Sequence, residues 1–242
     1  MNIVIQLYQY DINNVSSIYQ HRQKMVRQME LQECLVRNLN DAIVKSIHIL
    51  VESYNDINYY KQYTDSFEEK VRYVVIGHQP TYKDFLLYVK ETFQPGEIVS
   101  IMNSDMYFNS TFNYDLLQRK LTEKMMIALT RHEFTDEDHT ICHEGTCPFT
   151  VHGGSCDTFI FKTPISENVD VNLVDHKQNL FGGENVFMNA WVKAGYEILN
   201  PCDQLITVHR HEGRVHLEKY DTIGTEETKF LNLKTRFSDD SL

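Results

Sequence analysis

The stretch Ile98–Phe108, which reads IVSIMNSDMYF, joins an apolar run to the polar residues that follow it. The run predicts a central strand over Ile98–Met102. Asp105 follows at its carboxyl end, where open α/β sheets bind ligands. Asn103 lies on the same side of an extended chain as Asp105, so both side chains can face a metal-bound diphosphate. A turn in which both residues only cap backbone amides explains the same pattern.

The segments around this stretch alternate short apolar runs with helical spacing of apolar residues. This alternation predicts an α/β fold with a mostly parallel central sheet flanked by helices. Further strands are predicted at Ile3–Tyr8, Ser46–Val51, Arg72–Ile76, Met125–Thr130, Thr158–Lys162, Tyr196–Leu199 and Leu205–Val208. Helices are predicted around Leu31–Leu39, over Tyr82–Phe93 and over Phe187–Ala194. Because no linker or repeat interrupts the pattern, we expect one domain over residues 1–242, with a flexible tail from about residue 223.

The amino-acid composition limits the kinds of molecule that the protein can be expected to bind. The chain has 242 residues, of which 42% are hydrophobic and 24% charged, as in an ordinary globular domain. Its formal net charge is −11, from 23 Lys and Arg against 34 Asp and Glu. This charge disfavours nucleic acid as a partner. A small phosphorylated ligand stays compatible with it, because a metal ion, helix N-termini and backbone amides can hold phosphate.

The N-terminal sequence and the cysteine distribution indicate the cellular compartment in which we expect the protein. The first ten residues, MNIVIQLYQY, lack the basic flank and long apolar core of a secretory signal. No run approaches the roughly 18 apolar residues of a membrane span. Three of the five cysteines crowd into one His-rich stretch, unlike an evenly distributed disulfide framework. We therefore expect a reduced, cytoplasmic protein without a membrane span.

Two acids are candidates for a general base. The turn FGGEN presents Glu184 at the start of a predicted helix, and Asp157 begins a predicted strand. A base must lie within hydrogen-bond reach of the hydroxyl that it deprotonates. Because a helix dipole favours a carboxylate at the N-terminus, Glu184 can equally be a capping residue. Asp157 has the same ambiguity.

The segment VHRHE places His209 and His211 on one face if the chain is extended. Either imidazole can ligate the same metal as Asp105, whereas a structural or solvent-exposed role is the alternative. Arg210 and Arg214 can meet phosphate oxygens through their planar guanidinium groups, or form ordinary surface ion pairs.

A second group of metal-ligating side chains crowds into the polar stretch from about Phe134 to Gly154 and just beyond it. The group consists of His139, Cys142, His143, Cys147, His152 and Cys156. Its spacing is not that of a standard zinc finger. A structural zinc ion, a disulfide that pins the loop and free thiols all remain open.

Six segments, in this order, resemble motifs of small glycosyltransferases with the GT-A fold, including those of large algal viruses of the chlorella type. They are Asn103–Phe108, Ala128–Arg131, Ser155–Phe161, Gly183–Asn185, Gly195–Pro201 and Val208–His211. Earlier residues agree with the same pattern, namely Arg27, Glu30, Cys34, Asn38, Ile47–Leu50 and Gly77–Tyr82. The resemblance implies a single GT-A-type, Rossmann-like domain.

The resemblance also implies an activity. A sugar would pass from a nucleotide diphosphate sugar, a UDP-sugar above all, to a hydroxyl of a glycan acceptor, with Mn²⁺ or Mg²⁺ bound. Asp105 would be the principal metal ligand, completed by His209 or His211. The family's motif has an acid at both outer positions, whereas this chain has Asn103 at the first. Asn103 would therefore contact ribose or act through water, with Ser104 in the same nucleotide site.

Further roles follow from the resemblance by position. Glu184 matches the acid that deprotonates the acceptor in inverting members, with Asp157 in reserve. Contacts to the nucleotide are implied at the end of the first strand and after the third, at Gln6, Tyr8, Gln9, Tyr10, His78, Gln79 and Tyr82. A core aromatic is the alternative for Tyr8.

Two other functions compete with this interpretation. In a noncatalytic protein, the same scaffold would hold a nucleotide or carbohydrate while the Cys/His stretch recognises a partner. A nucleotidyltransferase would also place acids at sheet ends, although the chain lacks a Gly-rich phosphate loop with its lysine.

Overall fold

The computed structural model describes residues 1–134, 140–142, 156–178, 180–212, 231 and 233–237, with residues 140–142 described by their backbone only. The elements of this part are, in chain order, β1 (Asn2–Gln6), α1 (Ile18–Asn40), β2 (Ser46–Val51), α2 (Tyr54–Thr64), a short 3₁₀ helix (Asp65–Phe67), β3 (Val71–Val75), α3 (Tyr82–Thr92), β4 (Ile98–Met102), β5 (Met106–Phe108), α4 (Tyr114–Lys120), β6 (Met125–Thr130), β7 (His132–Phe134), β8 (Thr140–Cys142), β9 (Cys156–Lys162), α5 (Gly183–Lys193), β10 (Glu197–Leu199) and β11 (Thr207–His209).

The central sheet has seven strands in the order β10-β6-β9-β4-β1-β2-β3. Strand β1 is parallel to β2 and β4, and β2 is parallel to β3. Strand β9 runs antiparallel to both of its neighbours, β4 and β6. Helices α1 and α2 make the crossovers between the parallel neighbours β1 and β2 and β2 and β3, and α3 leads from β3 back to β4 on the other side of β1. The predicted α/β class and mostly parallel sheet are thus confirmed.

The sheet is apolar on both faces, and each face carries its own core. Ile3 and Ile5 belong to the cluster with α1 and α2, whereas Val4 belongs to the cluster with α3 and α5. All five residues of β1 are buried. Burial on both faces is typical of a strand in a parallel sheet, and it explains why β1 reads as a continuous apolar run.

Side chains at two helix starts shape the loops near the sheet edge. The Ser17 hydroxyl accepts from the backbone N–H of Gln20 at 3.2 Å at the start of α1. At the start of α3, the Asp84 carboxylate accepts from the backbone N–H of Thr81 at 2.8 Å. These are capping contacts that satisfy otherwise unpaired amides.

A second sheet has four strands in the order β5-β11-β7-β8. Strand β11 is antiparallel to β5, with His209 paired to Met106, and parallel to β7, with His209 paired to Glu133. This register brings residues from three distant parts of the sequence together beside Asp105.

The predicted strands Ser46–Val51, Ile98–Met102 and Met125–Thr130 match β2, β4 and β6 residue for residue. The first strand ends at Gln6, so Tyr8 lies beyond the sheet. The strand predicted at Leu205–Val208 begins later, because the N–H of Leu205 bonds to the carbonyl of Pro201 at 2.9 Å in a turn. Helices α2 and α4 and strands β5, β7 and β8 were not predicted.

Part of the predicted flexible tail packs onto the domain. Lys234 pairs with Leu199 of β10, and Phe237 is buried in the core. The rest of that tail, residues 223–230, 232 and 238–242, lies outside the described residues. Within the described part of the chain, every helix is too short or too polar to cross a membrane.

Candidate functional site

A cleft of about 1050 Å³ lies at the carboxyl ends of β1, β2 and β4. This is the edge at which open α/β sheets bind ligands. Twelve of the side chains that the sequence analysis singled out line it, namely Gln6, Tyr8, Gln9, Tyr10, Gln79, Asn103, Ser104, Asp105, Asp157, Glu184, His209 and His211. The structure therefore gathers nearly all of the predicted site in one place.

Two predicted nucleotide contacts lie elsewhere. Tyr82 begins α3 and is fully buried, with its ring stacked on Phe187 at a centroid distance of 4.4 Å. It is a core residue, and burial raises the pKa of its hydroxyl well above the usual value. The ring of His78 is exposed and its Nε2 lies 2.9 Å from the Asp84 carboxylate at the start of α3. The prediction was wrong for Tyr82, and His78 does not line the cleft.

Asp105, His209 and His211 form a candidate metal centre. One ligand atom from each of these three residues lies within 4.8 Å of the other two. Nε2 of His209 is 2.9 Å from Oδ2 of Asp105, and Nδ1 of His211 is 3.8 Å from the same oxygen. The backbone keeps these segments together, because the N–H of Arg210 donates to the carbonyl of Asp105 at 2.9 Å.

The chemistry of this donor set fits a divalent cation. One carboxylate oxygen and two imidazole nitrogens supply three protein ligands, which leaves positions for phosphate oxygens or water. Because imidazole is a softer ligand than carboxylate, the set suits Mn²⁺ better than Mg²⁺.

Arg27, a residue of the resemblance without a predicted role, balances the charge at this centre. Its guanidinium donates to Oδ2 of Asp105 and, at 2.8 Å each, to the Glu30 carboxylate and the carbonyl of Arg210. Both side chains of the pair with Asp105 are at most 10% exposed. The spacing of Arg27 and Glu30 on the buried face of α1 was the available sequence signal.

The protonation states follow from these contacts. Burial alone raises the pKa of Asp105, but the charges of His209 and Arg27 outweigh it and hold that pKa well below the usual range. Burial lowers the pKa of His209, whereas Asp105 and Glu133 raise it to about 9. Burial and the neighbouring cations lower the pKa of His211. A metal ligand must be unprotonated, so cation binding would displace the proton of His209.

Asp157 is held from two sides at the start of β9. Oδ1 accepts from the Asn103 amide at 2.7 Å, and Oδ2 accepts from the Arg131 guanidinium at 3.0 Å. The side chain is only 3% exposed. Asn103 therefore orients Asp157, which the sequence did not reveal, and Arg131 joins the site as a residue without a predicted role.

Glu184 lies in the first turn of α5, as predicted, and is partly exposed in the cleft. Its Oε2 accepts from the backbone N–H of Cys156 at 2.9 Å. Gly182 has a φ of 83°, and a Cβ on Gly183 would lie 3.0 Å from the His176 ring. The two glycines thus let this turn pass close to its neighbours and place the carboxylate of Glu184.

The end of β1 forms the other side of the cleft. The hydroxyls of Tyr8 and Tyr10 are 2.9 Å apart, with the rings edge to face. The N–H groups of Gln9 and Tyr10 donate to Asp56 and Gln28 at 2.9 and 2.8 Å. Both tyrosines are only half-buried, so their rings are available to a planar ligand. The hydroxyl of Ser104 donates to the carbonyl of Gln6, which joins this side to Asp105.

Arg210 and Cys156, which the sequence also singled out, do not line the cleft. Arg210 lies over the Phe134 ring at 3.9 Å and pairs with Glu33 at 3.2 Å, so an ion pair is what the structure shows for it. Cys156 is buried in β9, 3.7 Å from the carbonyl of Ala128. For Cys142 only the backbone is described. The other predicted Cys and His ligands, His139, His143, Cys147 and His152, lie outside the described residues, and so does Arg214.

Two solved structures share this fold over most of the chain. GalNAc-T7, solved with UDP, GalNAc and Mn²⁺, matches with a TM-score of 0.51 and 10% identity over 89% of this chain and 44% of its own. A mannosyltransferase from Pyrobaculum calidifontis, in complex with GDP-Man and Mn²⁺, matches with a TM-score of 0.50 and 10% identity over 90% of this chain and 58% of its own. The chain thus spans about half the length of the structures it matches.

Comparison with protein-family models and with curated proteins gives no match. The similarity to solved structures therefore lies in the fold. Both matched proteins share the mixed α/β architecture with a central sheet between helices. The chain has a GT-A-type, Rossmann-like fold, as its resemblance to that group implied.

Proposed function

We propose that this protein is a metal-dependent glycosyltransferase that moves a sugar from a nucleotide diphosphate sugar to a hydroxyl of a glycan acceptor. The observation that carries the proposal is the meeting of Asp105, His209 and His211 within 4.8 Å, in the cleft that Glu184 also lines. The two matched structures, solved with UDP or GDP-Man and Mn²⁺, support it. A UDP-sugar is the first donor to test.

Asp105, His209 and His211 would hold the metal, and Mn²⁺ suits this mixed donor set. When bound, the cation offsets the charge that develops on the departing diphosphate. Arg27 holds Asp105 in place and adds a second positive charge beside it. The residues of the chain thus hold the metal ligand Asp105 in place before any substrate enters.

Glu184 is our candidate for the general base. Asp157 has each carboxylate oxygen bound by a side-chain donor and is almost fully buried, which leaves it poorly placed to accept a proton from a substrate. Glu184 is partly exposed in the cleft and held by the backbone of Cys156. A base that deprotonates the acceptor for direct attack gives inversion at the anomeric carbon, and we propose that outcome.

The base and ribose of the donor would lie against Tyr8 and Tyr10, at the end of β1. Gln6 and Gln9 line the same side of the cleft. Asn103 faces Asp157 rather than the metal centre, which agrees with a role other than direct ligation. The resemblance to algal virus enzymes leads us to propose action in the cytoplasm of a host cell.

Thermal unfolding with Mn²⁺ and a panel of nucleotides and nucleotide sugars tests the proposal. A ligand at about 100 times its Kd adds roughly 2.7 kcal/mol to the unfolding free energy. For a chain of this size, the midpoint should rise by roughly 5 to 10 °C. The rise should require Mn²⁺, favour one nucleotide class and disappear in Asp105→Ala.

Release of the nucleoside diphosphate, measured with the bound donor and a panel of glycan acceptors, then tests catalysis. Turnover that depends on Mn²⁺ supports the transferase. Binding without turnover for every donor and acceptor would instead favour a noncatalytic nucleotide- or carbohydrate-binding protein. No response of the wild type to any donor, with or without Mn²⁺, would remove the proposed site.

A further inference from the structure

The imidazole of His209 is contacted on both of its nitrogens. Nε2 faces Oδ2 of Asp105 at 2.9 Å, and Nδ1 faces Oε2 of Glu133 at 3.0 Å. The ring of His209 is only 5% exposed, and the ring of His211 packs against it at a centroid distance of 5.1 Å. Nε2 of His209 thus faces the candidate metal centre, and Nδ1, on the other side of the ring, faces Glu133.

The position of Glu133 follows from the backbone. Glu133 and His209 are register partners in the parallel pair of β7 and β11. The other carboxylate oxygen of Glu133 accepts from Nε of Arg131 at 2.8 Å. Arg131 also binds Asp157 at 3.0 Å, so the guanidinium anchors Glu133 to the floor of the cleft. Glu133 is therefore a restrained side chain rather than a mobile surface acid.

Ligation by Nε2 requires the neutral ring with its proton on Nδ1. That proton needs an acceptor, and a carboxylate in this position fixes both the tautomer and the ring orientation of a metal-bound histidine. We propose that Glu133 is a positioning residue that holds His209 with the lone pair of Nε2 directed at the metal centre. The inference rests on the proposed metal-dependent function and assigns a role to a residue outside the ligand set.

The alternative for Glu133 is a purely structural ion pair with Arg131. The two roles differ in what they require of the side chain. A structural pair needs only charge and leaves metal affinity unchanged when it is lost. A positioning role needs an oxygen acceptor at Nδ1 of His209, and its loss weakens metal binding directly.

Mn²⁺ affinity of the full chain, measured by the electron paramagnetic resonance signal of free Mn²⁺, separates these roles without any turnover. We expect Glu133→Ala to raise the Kd for Mn²⁺ by about 10- to 100-fold. Glu133→Gln keeps an oxygen that can accept from Nδ1, and its loss should be smaller than that of Glu133→Ala. Asp203→Ala is the matched control, because Asp203 also pairs with an arginine, has a similarly exposed side chain and does not line the cleft. It should bind Mn²⁺ like the wild type.

Wild-type Mn²⁺ affinity in folded Glu133→Ala, or equal losses in the Ala and Gln variants, would overturn the inference. If Glu133→Ala does not fold, Glu133→Asp decides, since it keeps the charge but withdraws the oxygens from His209. Weaker Mn²⁺ binding by Glu133→Asp supports positioning, and unchanged binding contradicts it. Asp105→Asn distinguishes the proposed metal centre from the proposed role of Glu133. If Asp105→Asn loses Mn²⁺ binding while the Glu133 variants keep it, the metal centre is upheld and the role of Glu133 is not. A wild type that binds no Mn²⁺ removes both.

Discussion

Arg27 of α1 and Asp105 after β4 form a buried ion pair although 78 residues separate them in the sequence. The pair closes the floor of the cleft, because Arg27 also binds Glu30 and the backbone of Arg210. Removal of the guanidinium would leave two buried acids without their shared cation. The consequences of this arrangement are measurable in stability as well as in activity.

We expect Arg27→Met to reduce the unfolding free energy by about 3 to 5 kcal/mol, as is usual when one partner of a buried pair is removed. Urea unfolding measures the change. The control is Arg37→Met, whose partner Glu33 is 33% exposed, and which should lose about 1 kcal/mol or less. Mn²⁺ should restore part of the loss in Arg27→Met, since the cation replaces the missing charge beside Asp105. Equal stability of the two variants would contradict this account of the pair.

The two candidate acids should respond differently to amide substitution. Glu184→Gln should lower kcat by about 10²- to 10⁴-fold, the usual contribution of a general base, with little change in melting temperature or Mn²⁺ affinity. Asp157→Asn should lower the melting temperature, because it weakens the contacts of Asp157 with Arg131 and Asn103. Nucleoside diphosphate release and thermal unfolding are measured on both variants. If Glu184→Gln keeps full turnover, Glu184 is not the base.

Stability should fall in mild acid because of His48. Its ring is packed against Phe93 at 4.7 Å and bonded to Ser46 and Tyr88, and burial lowers its pKa from 6.5 to about 4. Between these values the unfolded chain binds the proton that the folded chain does not. The unfolding free energy therefore decreases as the pH falls through this window.

At pH 5 this linkage amounts to about 2 kcal/mol. Urea unfolding of the wild type and His48→Gln at pH 7 and pH 5 measures this contribution. It equals the change in unfolding free energy between the two pH values in the wild type minus the same change in His48→Gln. The stability of His48→Gln relative to the wild type should improve at the lower pH. A relative stability that is independent of pH would show that His48 does not titrate in this window.

A side chain at Gly183 should displace the neighbouring Glu184. An added Cβ would lie 3.0 Å from Cε1 and 3.1 Å from Nδ1 of His176. We expect Gly183→Ala to reduce the unfolding free energy by about 1 to 3 kcal/mol and to lower kcat, because it shifts Glu184. Gly96→Ala is the control, since Gly96 has a φ of 86° and open space around it.

Gly96→Ala should also lower stability, by about 1 kcal/mol, through backbone strain alone. Its turnover should stay at the wild-type level, because Gly96 is not among the residues that line the cleft. Addition of His176→Ala to Gly183→Ala should recover part of the lost activity. Equal kcat values for the two glycine variants would exclude a link between this turn and Glu184.

The parts of the fold that were predicted well are those that local pattern determines. Ser46–Val51 and Ile98–Met102 are apolar runs buried on both faces, and they match β2 and β4. Helix α2 was missed because only Asp56, Tyr60 and Thr64 of its residues are buried, which gives a weak apolar face. Strands β5 and β7 have three residues each and exist because they pair with the distant β11.

The difference between local pattern and distant pairing also explains which site residues could be predicted. Asp105, Glu184 and the two histidines stand out by residue type at the ends of predicted elements. Glu133 could not be recognised in this way, because its partner His209 is 76 residues away. Tyr82 was misassigned although its own spacing with Phe85 and Leu86 already placed it on the buried face of α3.

Strand β9 has a consequence for the order in which the molecule forms. It lies between β4 and β6 and is antiparallel to both, so among the described strands it is the one that joins the two parts of the sheet. A nascent chain that ends before Cys156 cannot complete the sheet. Asp157, the second residue of this strand, binds Asn103 after β4 and Arg131 after β6. Insertion of β9 between β4 and β6 thus joins the two parts of the sheet and brings Asp157 into the cleft at the same time.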